Sequence, residues 1–80
     1  MAFSVVCNIA NGQDLDKRLN EACAEQYETF PQHRSDFAAV KSAVKLLAAE
    51  IGSDINVHVY GDRTADGRVI MTVEVSRLVP

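Results

Sequence analysis

Cys7, Cys23, His33 and His58 are the side chains best suited to nucleophilic, proton-transfer or metal chemistry in this chain. A cysteine–histidine nucleophile needs its thiol within hydrogen-bond reach of the imidazole. The alternation around Cys7 and His58 places them on opposite faces of one sheet, and Cys23 falls on the apolar side of a helix. Both thiols therefore read as small, inert core side chains. A closed zinc site needs about four ligands, usually with pairs at CxxC or HxxxH spacing. These four residues are scattered, so no metal and no cofactor is expected. The glycines and acids between Gly61 and Gly67 match neither a calcium loop nor the GxxxxGK phosphate loop. No catalytic residue is assigned and the chain reads as non-enzymatic. An enzyme or ligand binder would need a site completed at a dimer interface, with His58 as the proton carrier.

Two surfaces are better candidates for function. Glu21, Glu25 and Glu28 recur at helical spacing as an acidic stripe, with Asp14 roughly in line. On an open helix such carboxylates form a solvated face that aids solubility and do no acid–base work, which needs a cleft. As a docking surface for a basic partner they would steer association more than strengthen it. The second surface is the sheet face turned away from the helices. It carries Val6, Asn56, His58, Tyr60, Ile70, Thr72 and Glu74, of which Val6, His58, Tyr60, Ile70 and Thr72 are the expected partner-binding residues. With both helices on the inner face, no predicted element covers this one; it is mixed polar, as an ordinary solvated antiparallel face is, yet Val6, Tyr60 and Ile70 give it an apolar component that a contact surface uses.

The elements that place these residues follow from period and punctuation. Phe3 to Ile9 alternates Phe3, Val5, Cys7 and Ile9 onto one face, as a half-buried strand does. Asp14 to Phe30 reads as one helix, capped by Asp14 and stopped by Pro31. Ser35 is the expected cap of a second helix running to about Ile51. Its core stripe is Phe37, Val40, Val44, Leu47 and Ile51, broadened by Ala39, Ala43, Leu46 and Ala48, so it should be the more buried helix. Gly52 closes it. Ile55 to Tyr60 and Arg68 to Arg77 are two further strands joined through an Asp66-Gly67 turn.

The order β-α-α-β-β predicts an α+β fold, a two-layer sandwich with two helices on one face of a three-stranded, mostly antiparallel sheet. Two antiparallel helices bring the chain back so that the first strand lies either antiparallel beside the second or parallel beside the third, and the third, the most apolar, is the candidate for the centre. The second has no proline, lysine or inward charge, and would be an edge open to pairing across a twofold axis. With 80 residues the chain forms one domain, 1–80, and 48% hydrophobic residues against 24% charged are enough for a core.

The net charge of −3 disfavours nucleic acid, which calls for a clustered basic face. A sheet-face nucleic-acid module would have to rely on His58, Tyr60, Arg63 and Arg68, with Tyr60 its only stacking aromatic. A DNA-reading helix is disfavoured because the second helix opens Ser35-Asp36-Phe37. The longest apolar stretch, Phe37 to Ile51, is interrupted by Lys41, Lys45 and Glu50, so no membrane span is expected, and the compartment is read as cytoplasmic. The reading is a small interaction or regulatory module that binds a protein partner or itself as a homodimer. Accessory factors of this length include virus-encoded ones.

Overall fold

The computed structural model describes residues 2–78, with Gln32 described by its backbone alone. The elements run β1 (Phe3–Ile9), α1 (Leu15–Ala22), α2 (Ala24–Thr29), a 3-10 turn (Pro31–His33), α3 (Arg34–Ile51), β2 (Ile55–Arg63) and β3 (Val69–Arg77). The three strands form one antiparallel sheet in the order β1-β2-β3, with helices on one face, as the α+β sandwich requires. The central strand is β2, not β3. The helices return the chain to the end of the sheet where β1 stops, so β2 enters antiparallel beside β1 with Ile9 opposite Ile55 and Phe3 opposite Gly61. The hairpin then lays β3 along the far side of β2, leaving β3 as an edge. For the same reason β2 has no free edge.

Alternation decides the core. Cys7 and Ile9 of β1 and Ile55, Val57 and Val59 of β2 are buried beneath Leu19 of α1 and Val40 and Val44 of α3. The β2–β3 hairpin is longer than its apolar pattern suggests, since β2 continues through Arg63. A short loop closes it, with the Thr64 N–H donating to the Arg68 carbonyl and Gly67 at φ 84°. Gly61 is thereby buried inside β2. A Cβ there would stand 2.5 Å from the Phe3 ring, so glycine lets Phe3 lie across the strand.

The helical layer departs from expectation at three places. The segment Asp14 to Phe30 is two helices, not one. Asp14 caps α1 by accepting from the Lys17 N–H, but Cys23 leaves helical geometry at φ −103°, ψ 13°. The break turns Tyr27 and Phe30 toward an aromatic group at one end of the core: Tyr27 meets Phe37 edge-on at 4.5 Å, and Phe3 lies 5.5 Å from Phe30 and 6.2 Å from Phe37. Next, Ser35 is not the cap of α3. The Pro31 turn already sets helical geometry by Arg34, so Ser35 lies inside the first turn. Gly52 does close the helix, at φ 65°.

The third departure concerns the sides of α3. Phe37, Val40 and Val44 are buried and Ile51 and Ala48 pack on the core, but Leu47 is 38% exposed, Leu46 is 72% exposed and Ala39 is exposed. On one side of α3, Lys45 pairs with Asp16 of α1 at 2.8 Å and Lys41 donates to Asn20 at 3.3 Å. The Lys45 ammonium holds the Asp16 carboxyl below the usual range. On the other side no helix among the described residues covers the flank that carries Ala39 and Leu46.

Candidate functional site

Helices cover the inner sheet face, so the outer face and the two edges are the surfaces the fold leaves open. Register builds the outer face in rows. Val6, His58 and Glu74 lie side by side across the three strands; Ser4, Tyr60 and Thr72 form the next row, and Asp62 and Ile70 the one beyond. Val6 is 62% and Ile70 57% exposed. They stand on opposite edge strands, and the rows between them are polar. The apolar component expected on this face is thus split into two separate residues.

Between them lies a hydrogen-bonded cluster that sequence reading did not assemble. Ser4 Oγ is 2.7 Å from His58 Nε2, His58 Nδ1 is 3.8 Å from a Glu74 oxygen, and the Tyr60 hydroxyl donates to the other Glu74 oxygen at 3.3 Å. The His58 and Tyr60 rings sit 4.8 Å apart. Partial desolvation, then the Glu74 charge, raises the pKa of the Tyr60 phenol above its ordinary value, so it stays a neutral donor at neutral pH. The order serine, histidine, carboxylate is that of a nucleophilic relay. Acyl transfer also needs preorganised donors for the developing oxyanion in a site that excludes water. Ser4 is exposed on a strand surface, the Glu74 side chain is 66% exposed, and the His58–Glu74 separation exceeds a hydrogen bond. What the cluster does chemically is tie three strands together and fix the His58 and Tyr60 rings.

The other expected residues are placed as follows. Glu21 ends α1 while Glu25 and Glu28 belong to α2; all three are exposed, and none has an ion-pair partner among the described residues. Cys7 and Cys23 are buried free thiols. Burial raises Cys7, with Arg18 opposing, and burial with the nearby Cys7 pushes Cys23 up to about 11. Neither is a thiolate at neutral pH. No cluster of three or more His, Cys, Asp or Glu side chains able to hold a metal occurs among the described residues. No described helix is long and apolar enough to cross a membrane.

The edge of β3 is the feature that spacing alone does not assign, because it leaves the strand order open. Val69, Met71, Val73 and Val75 point toward the helical layer but are only half-buried. Between this row and the outer flank of α3 runs a groove of about 440 Å³ lined by Asp36, Ala39, Val40 and Ala43 on one side and by Val69, Met71 and Val73 on the other. Asp36 at its rim is hydrogen-bonded to His33 at 2.9 Å. The two edges differ. On β1 the inward Cys7 and Ile9 are buried, and the Arg18 guanidinium reaches over to the Asn8 carbonyl at 3.3 Å. On β3, between Val69 and Arg77, no backbone hydrogen bond from the described chain falls on the side away from β2.

The fold is that of a small two-layer α+β domain. The chain matches no protein-family model, and neither curated proteins nor solved structures include a significant match.

Proposed function

We propose that this protein is a non-enzymatic interaction module that acts by binding protein, a second copy of itself or another chain, through its sheet. The observation that carries the reading is a three-stranded sheet whose outer face and β3 edge are left open by its own helices while bearing exposed Val6, exposed Ile70 and a half-buried apolar row. Such surface is a normal feature of contact sites. The Ser4–His58–Tyr60–Glu74 cluster supports the same reading, since it presents two fixed rings at modest entropic cost. Glu21, Glu25 and Glu28 would contribute long-range steering toward a basic partner.

Site-specific photo-crosslinking tests this. A photoreactive residue placed at Val6 or Ile70 of the full chain should give discrete protein adducts in the native cell, while one at exposed Ser42, on the outer surface of α3, should not. Equal labelling from all three positions, or none from any, would overturn the reading.

A further inference from the structure

We infer that the β3 edge is the seat of a homodimer in which β3 pairs antiparallel with β3 of a second copy about a twofold axis at Met71. This rests on the reading of the chain as an interaction module and names its partner and site.

Three observations select a second copy as the occupant. The first is charge. In a twofold register centred on Met71, Arg68 of each copy falls opposite Glu74 of the other, giving two symmetric ion pairs on the outer face. Arg68 is exposed at 82% of its side chain and Glu74 at 66%. Arg68 uses Nε to hold Asp66 at 2.8 Å, and its planar fork has further N–H donors for a second carboxylate.

The second is self-complementarity. The same register sets Val69 opposite Val73, Met71 opposite itself and Ile70 opposite Thr72, so each face meets its own kind. The inward side chains of the added strand enter on the side of the groove, which is itself centred on Val69, Met71 and Val73. An isologous contact needs a single patch to be its own partner, and this one is.

The third is the composition of β3. Four inward apolar residues, with no proline and no lysine from Val69 to Arg77, are what a central strand carries. In the monomer β3 is an edge. In the dimer the sheet has six strands in the order β1-β2-β3-β3-β2-β1, and β3 becomes central. The β1 edge, with its inner row already buried and Arg18 across it, has no such demand.

The test is sedimentation equilibrium of the full chain from about 1 to 100 µM, the range where a modest interface of this kind resolves. The wild type should be dimeric at the upper end. Arg68→Glu and Glu74→Arg, both surface changes whose folding is checked by circular dichroism, should each weaken the dimer about tenfold or more, because each replaces two attractions with two repulsions. The double variant Arg68→Glu/Glu74→Arg should restore it. A monomer at about 100 µM overturns the inference, and so does a dimer that both single variants leave intact. Crosslinks from Val6 or Ile70 to a different protein, found with a monomeric wild type, would leave the interaction reading standing while this inference falls. A monomer without such crosslinks would remove both.

Discussion

Val44→Asp is expected to abolish the native fold. Val44 is fully buried in the middle of α3, against the inner row of the sheet, and no described basic side chain lies within that core. A carboxylate there must either remain charged in an apolar site or take up a proton, and it also gives up the packing of the valine. The cost is several kcal/mol, against a total stability on the order of 5 kcal/mol for a domain this small. Far-ultraviolet circular dichroism and a thermal scan should find no cooperative transition at neutral pH. A folded variant with a melting temperature within a few degrees of wild type would mean that α3 does not pack on the sheet as described.

Phe37→Ala comes second in size. Phe37 is 2% exposed and stands at the centre of the aromatic group, stacked near Phe3 and met edge-on by Tyr27. Truncation removes a large apolar side chain and leaves a void that Phe3, Tyr27 and Phe30 can only partly refill, at a cost of about 3–5 kcal/mol. Beyond the break at Cys23, Tyr27 meets this ring and Phe30 meets the neighbouring Phe3, so the loss should be felt first in α2. Urea unfolding should give a midpoint far below wild type, with α2 amides exchanging fastest. A cost under about 1 kcal/mol would show that the aromatic group is peripheral to stability.

Much of this architecture is legible in the chain because it rests on local pattern. The strand at Phe3–Ile9 and the inward rows of both later strands follow from alternation, the buried stripe of α3 from Phe37, Val40 and Val44, and its end from Gly52. What could not be read depends on contacts between distant residues. Nothing near Cys23 breaks a helix by type; beyond the break Tyr27 and Phe30 pack against Phe37 and Phe3, rings distant in the chain. Leu46 and Leu47 fit a core stripe by spacing, yet whether a flank is buried depends on how many strands and helices share the layer. Ser4 and His58 are 54 positions apart and meet only because of the β1–β2 register.

The placing of β3 is the most informative of these differences. Its apolar row signals a central strand, and the monomer puts it at an edge. A neighbour on its open side, as in the proposed dimer, would give β3 the central place its composition suggests. Of the expected residues of the outer face, Ile70 and Thr72 lie on β3 itself, His58 and Tyr60 on β2, and Val6 on the opposite edge strand β1.

Amide hydrogen exchange of the full chain, followed from dilute to concentrated solution, tests most directly that the open side of β3 is a contact surface. Every second amide from Val69 to Val75, those directed away from β2, should slow as concentration rises, while β1 amides stay unchanged. Identical exchange along β3 at all concentrations would contradict it.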